Sequence, residues 1–289
     1  MRITNYNLET NKKIGNFKIA LFSDVHYSGK GFSIRKLNQI VEVIAFNKPN
    51  YICIPGDFID STLAVKNAID RTNLLSFFKK LGTIAPVIIS LGNHDIQDNP
   101  KANCNYKTIP DFISAINQIE NVYLLDNESK EYPGICFYGL TYGYLNYTES
   151  KKDFETVETK TLSKPIKFSE TNYNIILSHS PLIFKNKKIF NDLNNPDLVL
   201  SGHMHNGAIP IAFDKIIKGH RGIIAPNKKL FPTYTRGHIK LNDNKSDLII
   251  SKGITTISKD ALSFFKILRP IYPMNIEFIN VVRKDEKTR

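Results

Sequence analysis

Short apolar runs recur along the chain, and each stops at a cluster of Asp, Asn, His or Gly. Phe17 to Phe22 ends in Ser23-Asp24, Tyr51 to Ile54 in Pro55-Gly56, and Ala85 to Leu91 in Gly92-Asn93. Strands that are apolar at every position are stable only when both faces are covered, so other layers must pack on each side of them. The intervening segment Ser33 to Phe46 sets Ile34, Leu37, Ile40, Val41, Ile44 and Ala45 at spacings of three and four. That pattern is one face of a helix, with Ser33 as its expected N-cap. Leu63 to Leu81 and Pro110 to Ile119 read as further helices, and Val122 to Leu125 and Ile135 to Leu140 as further strands. The alternation defines an α/β fold.

Composition narrows the class. The 289 residues include 39 Lys and Arg against 27 Asp and Glu, a formal charge of +12. Hydrophobic residues at 42% and charged residues at 23% fit a folded globule and exclude a disordered or collagen-like chain. No apolar run reaches the ~18 residues of a membrane helix, and the polar, Asn-rich stretch Met1 to Phe17 lacks the features of an export signal. Cys53, Cys104 and Cys136 form neither a CxxC metal motif nor a disulfide framework, so a reducing, cytoplasmic location is expected. One domain over 1–289 is expected. Within it, 141–172 is polar, Tyr-rich and poorly periodic, and reads as an excursion or lid. Strand patterning resumes at Tyr173 to Leu177 and Asp197 to Leu200, and β-like runs follow at Ala208 to Phe213, Gly237 to Leu241, Asp247 to Ser251 and Asn275 to Val282.

The strand ends carry the chemistry. They supply Asp24-Val25-His26, Gly56-Asp57, Gly92-Asn93-His94-Asp95, Ser178-His179 and Gly202-His203-Met204-His205, and hold five of the seven histidines. In open α/β sheets, sites form beyond the carboxyl ends of the strands. Five segments therefore deliver Asp24, His26, Asp57, Asn93, His179, His203 and His205 to one sheet edge. Oxygen and imidazole donors without thiolate suit Mn, Fe or Zn rather than a closed structural zinc site. The i, i+2 spacing of Asp24/His26 and His203/His205 aims each pair to one side if the backbone is extended. Seven donors exceed one ion's shell but fit two, divalent or mixed-valence, with Asp57 as the bridge. Two ions roughly 3.5–4 Å apart can share a hydroxide and clamp a phosphate. Singly, a DxH or HxH pair or a Gly-Asn turn would mean little; together, in order and each after a strand, they point to a metal centre.

The ordered set DVH, GD, GNHD, SH and GHMH resembles the calcineurin-like metallophosphoesterases over about residues 17 to 282. The resemblance implies a four-layer α/β/β/α sandwich. It implies one ion held by Asp24, His26, Asp57 and His205, and a second by Asp57, Asn93, His179 and His203. It also makes His94 the catalytic histidine and Asp95 its orienting partner. No Arg follows Gly56-Asp57-Phe58-Ile59-Asp60-Ser61, unlike the phosphoprotein phosphatase branch. The segment Leu230 to Gly237 and the strand after Arg269-Pro270 look most like the bacterial, cell-envelope-associated branch, some of whose members act on lipid-linked pyrophosphates.

Residues 214 to 245 hold eight Lys and Arg against Asp214 and Asp243. Such a patch suits an anionic membrane surface or a phosphate-rich polymer, against the alternative of a plain solvated face. Arg221, Lys228, Lys229 and Tyr142 are candidate substrate contacts, Phe231 is expected in the core, and His220 and His238 are expected outside the site. The expected activity is hydrolysis of a phosphodiester, phosphomonoester or pyrophosphate. A nuclease is the alternative within enzymes, and a non-catalytic metal-binding scaffold the alternative outside them.

Overall fold

The computed structural model describes residues 1–29, 31–96, 108–141, 166, 168–185, 193–194, 196–217, 219–226, 229–241, 245–255 and 271–284. Tyr142, Lys228 and most of the expected excursion over 141–172 lie outside these residues.

Two six-stranded sheets organise the described residues. The first begins with strand β1 (Arg2–Thr10), then β2 (Phe17–Leu21), helix α1 (Gly31–Asn47), β3 (Tyr51–Pro55), α2 (Ala68–Gly82) and β4 (Val87–Ser90). The short α3 (Asn93–Ile96) and α4 (Thr108–Asn117) lead to β5 (Val122–Leu125). The second sheet takes β6 (Glu128–Tyr132), β7 (Ile135–Leu140), β8 (Tyr173–Ser178), β9 (Leu198–Ser201), β10 (Gly237–Leu241) and β11 (Ser246–Ile250). The last strand, β12 (Asn275–Arg283), returns to the first sheet between β1 and β2. The orders are β1-β12-β2-β3-β4-β5 and β10-β11-β9-β8-β7-β6. Strands β2 to β5 pair in parallel, as do β7, β8, β9 and β11, so their carboxyl ends share an edge in each sheet.

Period-two burial explains the layers. Ile19 and Leu21 face the second sheet, where they meet Phe137, Ile175 and Leu177. Ala20 and Phe22 face the helices, packing with Ile40, Ile44, Phe77 and Phe78. On the outer face of the second sheet, Ile176, Val199 and Ile250 are covered by Ile166, Ile183, Phe184 and Leu193. Each such fully buried side chain stabilises the fold by about 1.5–3 kcal/mol.

Several local expectations are corrected. Helix α1 starts at Gly31, so Ser33 lies inside it rather than capping it. The helix expected over Leu63 to Leu81 is a 3-10 turn at Thr62–Val65 followed by α2. Asn67 caps α2 by accepting from the Ile69 and Asp70 amides, which starts the helix afresh. Ala208 to Phe213 forms 3-10 turns instead of a strand. Strands β1 and β6 were not expected. Both are sheet edges with one wet face, and β1 buries only the alternating Leu8 and Thr10.

Strand β12 carries a fully buried carboxyl, Glu277. Its Oε2 accepts from Ser251 Oγ at 2.8 Å, and its Oε1 from the Lys252 amide at 3.0 Å and Asn275 Nδ2 at 2.5 Å. Burial raises its pKa to about 7, despite these donors. A carboxyl whose folded pKa exceeds its unfolded value binds its proton more tightly when folded. Its stabilisation is therefore complete below the unfolded pKa of 4.5 and lost as pH rises through about 7. The loss is on the order of 3 kcal/mol. Glu277→Gln keeps the shape, since the amide can donate to Ser251 Oγ, and should flatten this part of the curve. Denaturant titrations from pH 4.5 to 7.5 check it, and equal pH slopes in both proteins would refute it.

Candidate metal centre

The loops after β2, β3, β4, β8 and β9 converge at one edge. Backbone bonds lock them to each other: Asp24 N–H donates to Gly56 O at 3.3 Å, His26 N–H to Asp57 O at 3.0 Å, and Gly202 N–H to His179 O at 2.9 Å. The loop after β11 joins them, because Ile254 and Thr255 donate to the carbonyls of Ser23 and Asp24 at 2.9 Å each. The approach is close enough to exclude side chains. A Cβ on Gly92 would lie 2.5 Å from Asp57 N, and one on Gly202 would lie 2.7 Å from Asp24 Oδ2.

The expectation of extended backbone at the DxH and HxH pairs is overturned. Asp24, His26, Asp57, His203 and His205 all have positive φ, between 47° and 70°. Left-handed conformations at non-glycine residues cost on the order of 1–3 kcal/mol each and persist only where the surroundings fix them. Here the interloop bonds do so. Each pair converges through turns of left-handed backbone rather than through strand alternation.

The donors gather in overlapping groups. Ligand atoms of Asp24, His26 and His205 lie within 4.8 Å of one another, as do those of Asp57, His179 and His203, and those of His26, Asp57 and His94. Asp57 stands between the first two groups: its Oδ2 is 3.7 Å from His26 Nε2 and 3.0 Å from His179 Nε2. Its Oδ1 accepts the His94 amide at 2.8 Å. Asp24 is anchored by the His203 amide at 3.1 Å and by the Ser23 hydroxyl.

Main-chain carbonyls set the imidazole tautomers. A carbonyl only accepts, so the ring nitrogen facing it must carry hydrogen. His179 Nδ1 donates to Pro55 O at 2.8 Å, His94 Nδ1 to Asp60 O at 2.7 Å, and His205 Nδ1 to Thr255 O at 2.5 Å. In each ring Nε2 is left for the site. His203 Nδ1 meets His179 Nε2 at 3.2 Å. Burial holds His26 and His203 well below the usual histidine pKa, so both are neutral donors. Burial opposes protonation of His179 and His94 too, but Asp57, together with Asp24 and Pro55 O for His179 and with Asp60 and Asp95 for His94, outweighs it and raises both, His179 to about 9. Asp57 itself is held ionised: burial pushes its pKa up, and His179, His94 and His26 pull it well below normal.

These residues fit metal ions. His26 Nε2 and Asn93 Oδ1 are buried without a hydrogen-bond partner, a costly state that coordination would relieve. The Asp24 and Asp57 carboxylates lie among the rings of five histidines. The clustered His and Asp donors are consistent with a dinuclear divalent centre.

Asp95 has a different role from the one expected. Its carboxylate accepts the Asp57 amide at 2.7 Å, the Gly92 amide at 2.8 Å and the Ile59 amide at 3.1 Å. Burial and the Asp57 charge push its pKa up, to about 8, against these donors. It clamps the loops after β3 and β4 together, and the Asp60 carbonyl orients the His94 ring in its place. Asp60, Thr255 and the buried Lys36 were not anticipated. Lys36 Nζ donates to Val25 O at 3.1 Å and to Thr255 Oγ1 at 2.5 Å, joining the two segments behind Asp24, His26 and His205. Arg221 and Lys229 are exposed on the loop beyond β9. His238 pairs with Asp247 at 2.5 Å and His220 packs on the Tyr234 ring, both outside the centre.

A model of the calcineurin-like phosphoesterase family matches residues 17–207, more than half of the chain. The chain belongs to that family. It is 24% identical over 211 residues to an uncharacterised metallophosphoesterase of Campylobacter jejuni, covering 72% of this chain and 49% of that protein. It is 26% identical over 273 residues to an uncharacterised metallophosphoesterase of Helicobacter pylori, covering 93% of this chain and 60% of that protein. The chain thus spans about half to three fifths of these curated relatives. A dimetal phosphatase from Danio rerio superposes with a TM-score of 0.42 at 13% identity, over 84% of this chain and 88% of that one.

Proposed function

We propose that the protein hydrolyses a phosphate ester with two divalent ions, one held by Asp24, His26, Asp57 and His205 and the other by Asp57, Asn93, His179 and His203. The observation that carries this reading is the position of Asp57 Oδ2 between His26 Nε2 and His179 Nε2, at 3.7 Å and 3.0 Å. When bound, the ions supply Lewis acidity to the phosphate and acidify water. The chain supplies the rest. Asp57, ionised and buried, balances the cationic charge. His94, with Nδ1 committed to Asp60 O, has Nε2 left over to meet the substrate and hand a proton to the leaving oxygen. Asp95 holds the Asp57 and His94 loops at fixed separation.

All seven expected donors are present in the described residues, so the scaffold reading lacks the missing ligand it needs. No helix among those residues is long and apolar enough to cross a membrane. Cys53 and Cys136 are buried free thiols. A nuclease is the second reading, favoured by the formal charge of +12.

Protein purified without added metal and reconstituted with Mn, Fe or Zn should bind two ions per chain by elemental analysis. It should then hydrolyse bis(p-nitrophenyl) phosphate. At most one ion per chain, or no turnover with both positions filled, would defeat the proposal. Faster turnover of single-stranded DNA than of any lipid-linked phosphate would favour the nuclease.

A further inference from the structure

Just beyond the family-matched residues the surface changes character. Among the described residues, five of the eleven exposed large apolar side chains fall within 211–231: Ile211, Phe213, Ile216, Leu230 and Phe231. Phe231, expected in the core, is 76% exposed. Its φ is +50°, so the backbone bears strain while an aromatic ring points into water. The placement is held by structure. Ile224 and Leu230 form an antiparallel bridge, and Phe231 N–H donates to Ile223 O at 2.9 Å. This hairpin is rooted at the metal centre, since Gly207 O, two residues past His205, accepts from Ile223 at 2.7 Å and from Ile224 at 3.1 Å. Arg236 donates to Ile217 O and ties 211–217 alongside.

The charge on this segment is one-sided. Between Ala208 and Arg236 the sequence has six Lys and Arg and one acid, Asp214. Asp214 is enclosed by Arg2 at 2.9 Å, Lys252 at 3.2 Å and Arg236, so its carboxylate is neutralised. Lys215, Arg221 and Lys229 are exposed.

We infer that the surface formed by residues 211–217 and 229–231 docks the protein on an anionic lipid bilayer and sets the metal centre at headgroup level. This rests on the phosphoesterase reading and assigns its substrate class: a phosphate ester carried in a lipid headgroup. A bilayer offers both complements at once, hydrocarbon for the apolar side chains and anionic headgroups for the cations. Nucleic acid offers only the second, because Ile211, Ile216 and Leu230 have no ring to stack on a base. Exposed apolar side chains gathered in one segment mark an interaction surface rather than ordinary scatter.

The test compares wild type with the double variant Leu230→Asn/Phe231→Asn. Asn tolerates positive φ, so the hairpin backbone is preserved. Co-sedimentation with vesicles of phosphatidylcholine, alone or mixed with phosphatidylglycerol, reads docking. Turnover of bis(p-nitrophenyl) phosphate in solution reads the chemistry. Wild type should bind only the mixed vesicles, more weakly as salt rises. The variant should bind on the order of tenfold more weakly, with solution turnover unchanged. Equal binding by the two proteins, or no binding by wild type, would overturn the inference. So would a dimer in sedimentation that the variant abolishes without any vesicle binding, because the surface would then belong to a second copy. If wild type bound vesicles but never hydrolysed the small diester, docking would stand and the phosphoesterase reading, with its substrate class, would fall.

Discussion

Asp57→Asn is expected to empty both halves of the metal centre and to lower turnover by roughly 10³–10⁴-fold, the scale of several kcal/mol of lost charge stabilisation. The substitution is chosen for what it preserves. Asn can still accept the His94 amide that Asp57 Oδ1 accepts at 2.8 Å, so the turn into α3 survives. What disappears is the charge at Oδ2, which faces His26 and His179. The site would then have to hold two cations with Asp24 as the remaining carboxylate of the two groups. Elemental analysis and calorimetric metal titration measure the effect directly, apart from activity. Two ions retained at wild-type affinity would show that Asp57 is no bridge.

His94→Ala should behave in the opposite way, keeping both ions while kcat falls by about 10²–10⁴-fold, the range for a lost acid–base group. The His94 ring lies against His26, with centroids 4.6 Å apart, yet its Nδ1 is committed to the Asp60 carbonyl. Only Nε2 remains for the acid–base role proposed above. The fall should appear in kcat more than in KM, and should be smaller for a substrate with a good leaving group, which needs no proton. Loss of metal matching that of the Asp57 variant would erase the distinction between the two residues.

The sequence made some of this legible and hid the rest for physical reasons. Strands buried on both faces stand out as apolar runs: β5 and β7 fall on the expected residues, and the ligand-bearing loops follow the runs they were expected to follow. Edge strands do not stand out. The inward residues of β1, Thr4, Tyr6, Leu8 and Thr10, do alternate, but half of them are polar. The left-handed backbone at Asp24, His26, Asp57, His203 and His205 was hidden because Asp and His tolerate it more than most residues but do not require it; the surrounding loops impose it. The bonds of Asp95 were not legible because its neighbour in sequence is a histidine. In space its partners are the amides of Ile59, Asp57 and Gly92.

The carbonyls of Pro55, Asp60 and Thr255 each hold one imidazole through its Nδ1–H. Every amino acid brings the same carbonyl to those three positions. Substitutions that leave the loop path intact therefore leave the ring orientation intact, although the Thr255 hydroxyl also bonds Lys36 and Val25 and its removal would be felt there. The geometry of these three histidines is buffered against mutational drift in a way that a carboxylate partner, removable by one codon change, would not allow. Sequence change can then accumulate around the site while the remaining ring nitrogens stay where they are.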